Sequence, residues 1–196
     1  THCISSAASD VYKRQLLLRG VINMKNVLII GANGRVAIEA TKIFLENSNF
    51  NVNLFLRNAH RIPDYASNRV TVFEGDAKNQ QDLEQALDNI DIVFTGTSGS
   101  LNRHAETIVK AMAAKGIKRL ILIAAPGIYD ELPEAFNEWN KQQFGDKLDL
   151  YRQAADTIEQ SDLDYTIIRP GWSLTRPTRF SPGAPPYRTY NVASAR

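Results

Sequence analysis

Between residues 26 and 168, six short apolar runs of strand length alternate with stretches whose apolar residues recur at helical spacing. The runs fall at 26–30, 52–57, 70–73, 91–94, 118–125 and 164–168. The intervening helices are marked by Val36, Ala40, Ile43 and Phe44, by Leu83, Leu87 and Ile90 after Gln80, by Ile108, Val109 and Met112 between Leu101 and Lys115, and by Tyr151, Ala154, Ala155 and Ile158. Gly116 reads as the C-cap of the third. Repeated strand-helix units of about 20–30 residues require right-handed crossovers, hence a parallel sheet covered by helices on both faces. The expectation is a single-domain α/β fold, a doubly wound parallel sheet. Leu120-Ile121-Leu122-Ile123 fits a strand buried on both sides.

Such a sheet binds its ligand outside the carboxyl ends of the strands, so the residues following each run are the candidate site. The first run breaks at Gly31-Ala32-Asn33-Gly34-Arg35-Val36-Ala37. Two glycines between strand and helix let a phosphate approach unpaired N–H groups and the positive end of the helix, and Ala37 is small enough to let that helix lie against the sheet. The second run ends at Arg57, with Asn58, His60 and Arg61 beyond it and no acid until Asp64. A carboxylate there would accept hydrogen bonds from an adenosine 2′-hydroxyl. A guanidinium instead suits a 2′-phosphate, so NADP(H) is preferred over NAD(H). Asp76 and Ala77 follow the third run; Asp76 suits either an adenine amino group or the cap of the next helix. Gly96, Thr97 and Ser98 belong to a small-residue loop after the fourth run, and Ala124 and Ala125 end the fifth. His104 reads as a surface residue. Residues 127–147 mix aromatics and acids without strand character and are expected to fold over the sheet edge as a lid.

The two ends differ from this body. Residues 1–23 read as a non-native or disordered extension, with Met24 the natural start; 24–175 form the nucleotide-binding domain; 176–196, with four prolines, four arginines and no acid, read as an irregular tail in which the C-terminal part is truncated. The formal charge of +2 divides as +2 on 1–23 and +4 on 176–196, which leaves −4 on 24–175. The basic balance is therefore no nucleic-acid patch. No apolar run approaches the ~20 residues of a membrane span. The one cysteine, Cys3, allows no intrachain disulfide and no cysteine-based metal cluster, and fits the cytoplasm.

On the turn at 31–37, Arg57, Glu74-Gly75-Asp76-Ala77 and the segment Leu163-Asp164-Tyr165-Thr166-Ile167-Ile168-Arg169-Pro170-Gly171, the chain resembles the atypical short-chain dehydrogenase/reductase superfamily, in particular its NAD(P)H-binding, NmrA-like and flavin (biliverdin) reductase-like members. The resemblance implies a Rossmann-like fold. It also implies a catalytic serine at the end of the fifth strand and a tyrosine four residues before a lysine, which this chain lacks: the serine positions are Ala124 and Ala125, and Tyr151 is followed by Ala155. No catalytic side chain and no metal ligand is expected. Two readings suit that gap. The first is an NADPH-dependent reductase passing hydride to a small planar electron acceptor, flavin or quinone-like, with Ser98, Tyr129, Tyr151 and Trp172 as acceptor contacts. The second is a non-catalytic NmrA-like redox sensor. A sugar-nucleotide epimerase fits less well, since it needs the Tyr/Lys pair. No nucleic-acid or membrane partner is expected, and the sequence carries no signal for oligomeric state.

Overall fold

The computed structural model describes residues 24–171 and 192–195. Six parallel strands, β1 (Lys25–Ile30), β2 (Phe50–Leu56), β3 (Val70–Glu74), β4 (Ile92–Thr95), β5 (Arg119–Ile123) and β6 (Asp164–Arg169), form one sheet with β7 (Val192–Ala195), which runs antiparallel to β6. Their spatial order is β3-β2-β1-β4-β5-β6-β7. The expected α/β doubly wound sheet is thus present. The tail, read from its prolines as irregular, supplies β7: Val-Ala-Ser-Ala has too little apolar contrast to announce a strand, and its pairing with β6 comes from the sheet edge. The rest of the tail and the N-terminal extension lie outside the described residues.

The helices are α1 (Arg35–Glu46), α2 (Gln80–Ala86), α3 (Leu101–Lys115), α4 (Glu134–Phe144) and α5 (Lys147–Glu159). One sheet face carries Leu28, Ile30, Phe55, Val93, Leu120, Leu122 and Ile167 against α2, α3 and α5. The other carries Val27, Ile29, Val52, Leu54 and Phe94 against α1. Val27, Leu28 and Ile29 are fully buried because β1 has a helical layer on each side, which is why its sequence is a continuous apolar run rather than an alternating one. α3 lies along α5, where Ala105, Ala111, Ala154 and Ala155 are buried and permit close approach.

Two local readings change and a third holds. α1 turns Ala37 and Thr41 to the sheet, with Thr41 Oγ1 donating to Ala37 O at 2.8 Å, and leaves Val36 and Ile43 46% and 65% exposed; a buried threonine satisfied within its own helix shifts the apolar stripe by one position. The 127–147 segment is no bare lid, because α4 occupies most of it. That helix is weakly amphipathic and buries Asn137 and Asn140, so apolar periodicity does not reveal it. Gly116 caps α3 in the left-handed region, φ +69°.

Candidate functional site

The strand order reverses between β1 and β4, so the loops that follow these two strands leave the sheet in opposite directions and open a crevice between them. It is a cleft of about 400 Å³. Gly31, Asn33 and Gly34 line it after β1, Arg57 after β2, Asp76, Ala77 and Lys78 after β3, and Gly96, Thr97 and Ser98 after β4. Residues separated by up to 74 positions in sequence, Ile30 to His104, therefore line one cleft.

The turn itself is built for close approach. Gly31 has φ +78°, and a Cβ there would stand 3.1 Å from Thr97 Cγ2; one on Gly34 would stand 3.3 Å from Gly31 O. Glycine is needed at the first for its backbone and at both for space. The turn also closes on itself: the N–H groups of Gly31 and Ala32 donate to Phe55 O, and Gly34 N–H donates to Gly31 O. Those three donors are consequently unavailable to a ligand. The chain then enters α1, whose Gly34 cap offers no side-chain bond, whose first turn holds no acid, and whose first intrahelical bond is Ile38 N–H to Gly34 O. A pyrophosphate fits this end: no Cβ fills the cradle and no carboxylate competes for the helix dipole.

The third loop excludes one of the two roles weighed for Asp76, that of helix cap. Asn79, not Asp76, caps α2, its side chain accepting from Gln81 N–H at 3.0 Å. Asp76 Oδ1 accepts from Lys78 N–H at 3.0 Å and its own N–H donates to Asp82 Oδ2 at 2.9 Å, which fixes the loop with Asp76 and Lys78 on the cleft. Gly75 packs so tightly that a Cβ would lie 2.8 Å from Phe55 Cζ and 2.9 Å from Asp82 Cβ. Gly75→Ala is expected to cost about 1–2 kcal/mol by overpacking, lowering the thermal midpoint by a few degrees. Calorimetry on the variant checks this, and an unchanged midpoint would show that Phe55 moves aside freely.

His104 is the largest departure from the sequence reading. It is buried, 9% exposed, lines the cleft, and its Nδ1 lies 3.1 Å from Thr97 Oγ1. Burial holds its pKa below the ordinary histidine value, Lys78 and Arg57 push it the same way, and Asp76 opposes them. The signal was its place in the first turn of α3, directly after a glycine-rich loop that folds back over it.

Several expected contacts lie elsewhere. Ala32, Ala124 and Ala125 are buried in the two cores, and Arg35 and Val36 are exposed and do not line the cleft. Tyr129 is held away from it: its hydroxyl donates to Glu159 Oε1 at 2.6 Å, and its ring is 4.6 Å from each of the Arg152 and Arg169 guanidinium carbons. Burial and the bond to Glu159 push its pKa well up, so it stays a proton donor. Tyr151 packs edge-on against Phe144, with centroids 5.9 Å apart, and burial raises its pKa too. Both rings are packing residues on the α5 side. Trp172 lies outside the described residues. Phe55, Gly75, Lys78, Ser100 and His104, by contrast, join the cleft although none was among the expected contacts.

Residues 31–188 match the model of the NAD(P)H-binding family. The chain belongs to this family. Among solved structures, this NAD(P)H-binding protein is similar to a short-chain dehydrogenase/reductase from Veillonella parvula DSM 2008 in complex with NADP, with 34% identity, a TM-score of 0.73 and coverage of 78% of this chain and 72% of that one. It is also similar to ChuY, an anaerobilin reductase from Escherichia coli O157:H7, with 25% identity, a TM-score of 0.65 and coverage of 75% and 73%. A curated relative, described as an uncharacterized sugar epimerase of Bacillus subtilis (strain 168), is 27% identical over 164 residues, 77% of this chain and 73% of its own. The family assignment and the atypical short-chain reductase resemblance agree. No helix among the described residues is long and apolar enough to cross a membrane.

Proposed function

We propose that this protein is an NADPH-dependent reductase that passes hydride to a small planar acceptor of the flavin or quinone-like class. The observation that carries this reading is the make-up of the cleft: a glycine cradle suited to a pyrophosphate, with Arg57 and no carboxylate immediately beyond the end of β2. Guanidinium donors match the geometry of a phosphate monoester, whereas an unphosphorylated ribose calls for an acceptor, so NADP(H) is favoured over NAD(H). The likeness to a relative solved with NADP supports the choice of cofactor, and the likeness to an anaerobilin reductase supports the choice of a planar acceptor.

When bound, a reduced nicotinamide supplies a hydride. The chain's part is to orient and to exclude water: the glycines at 31 and 34 would let the phosphates approach the start of α1, and the loop from Gly96 to Ser100 lines the cleft beside them. Ala124 and Ala125 carry no hydroxyl, and Ala155 stands where a lysine would tune Tyr151. A conjugated acceptor suits such a site, because its reduction needs only the hydride and a proton drawn from solvent. The reading places the protein in the cytoplasm with a small-molecule partner, in keeping with its single cysteine.

The test is loss of the NADPH absorbance band when FMN, riboflavin, quinones and linear tetrapyrroles are offered in turn. Oxidation with at least one acceptor is expected. Tight NADPH binding with no oxidation across the panel would overturn the reductase reading and leave a dinucleotide sensor of the NmrA-like kind.

A further inference from the structure

Of the ionisable groups among the described residues that line the cleft, Arg57, Asp76, Lys78 and His104, only His104 is buried. Its ring is tied at Nδ1 to Thr97 Oγ1, 3.1 Å away, on the loop that also abuts Gly31. The imidazole is thus fixed on the wall of the crevice that receives the phosphates. We propose that His104 takes up a proton from solvent when an anionic dinucleotide enters the cleft, so that binding and protonation are coupled. This rests on the reading of the cleft as a dinucleotide site.

Burial is the first factor that disfavours the charged form of this ring. The charges acting on it come from two loops: Lys78 and Asp76 after β3, and Arg57 after β2, with the two cations outweighing the one anion. Asp82 of α2, which packs beside α3, is occupied by Asp76 N–H and by Asn79 Nδ2. α5 reaches the first turn of α3 through Gln153, which accepts from Asn102 Nδ2 at 3.1 Å. Within α3, Arg103 and Glu106 flank the ring in sequence with opposite charges. A pyrophosphate brings two negative charges into a partly desolvated crevice and so reverses the balance in favour of imidazolium. By linkage, a ligand that raises the pKa of a group binds its protonated form more tightly. The affinity should therefore increase as pH falls, through the window between the low pKa of the ligand-free protein and the higher one of the complex.

The experiment is calorimetric titration of NADH in two buffers of different ionisation enthalpy at about pH 6.5. NADH is the probe because the 2′-phosphate of NADPH itself titrates near pH 6. The wild type is expected to absorb a fraction of a proton per NADH, and to bind about three- to tenfold more tightly at about pH 6 than at about pH 8. His104→Gln, which retains a polar partner for Thr97, should show equal enthalpies in both buffers and an affinity nearly flat with pH. An NMR titration of the wild-type imidazole, expected to move to higher pKa on saturation with NADH, gives the same answer without the variant. Buffer-independent enthalpy in the wild type, or proton uptake that persists in His104→Gln, would overturn the inference alone. Absence of heat with both NADH and NADPH would overturn the dinucleotide reading as well.

Discussion

Replacing Arg57 by alanine is expected to weaken NADPH binding by about ten- to fiftyfold while changing NADH affinity less than about twofold. Arg57 stands one residue past β2, on the rim of the cleft, with no carboxylate within six residues after it. Its side chain is solvent-exposed, so the charge-assisted bonds to a phosphate are screened and the effect sits at the lower part of the usual range. Arg57→Glu goes further. It puts an acceptor where a 2′-hydroxyl donates and a like charge where a phosphate would sit, so the preference should invert toward NADH. Titrating both cofactors into both variants at two salt concentrations separates the outcomes. Equal losses for the two cofactors would assign Arg57 to the pyrophosphate and remove the basis for NADP(H) preference.

The sheet was legible because burial on both faces writes itself into the sequence as uninterrupted apolar runs such as Val27-Leu28-Ile29-Ile30. The strand-end loops were legible for the same reason that they bind: Gly31 and Gly34 are glycines where any Cβ would be in the way. What stayed hidden depends on direction rather than composition. Lys78 adjoins a motif that was read, yet only the Asx turn made by Asp76 brings it onto the cleft. His104 looked like a surface residue because its neighbours Arg103 and Glu106 are polar, whereas a helix turns successive side chains about 100° apart and only one of the three faces the crevice. Tyr129 and Tyr151 suit a planar acceptor by residue type alone. Packing against Arg152, Arg169 and Phe144 took them to the α5 side instead.

The network that holds Tyr129 defines the largest expected loss of stability. Arg169, 7% exposed at the end of β6, places Nη1 2.9 Å from Glu131 Oε1, out of line for a hydrogen bond but close enough for an ion pair buried on the arginine side, and stacks its guanidinium on Tyr129. Glu131 in turn accepts from Gly127 N–H at 2.9 Å and Tyr129 N–H at 3.0 Å, so one carboxylate fastens the turn after β5 to the end of β6. Glu131 keeps its two backbone donors and some contact with water, so Arg169→Met should cost about 1–3 kcal/mol through the lost ion pair and ring contact, a fall in thermal midpoint of several degrees. Glu131→Gln keeps an acceptor for the turn and should cost less. The functional consequence follows from the geometry: none of these groups lines the dinucleotide cleft, while the turn they hold lies at the carboxyl edge of the sheet beside it. Below its melting range, Arg169→Met should therefore bind NADPH about as tightly as wild type, with any change appearing in the KM for the acceptor. A midpoint within a degree or two of wild type would show that Glu131 is satisfied by the backbone alone and that the guanidinium is dispensable.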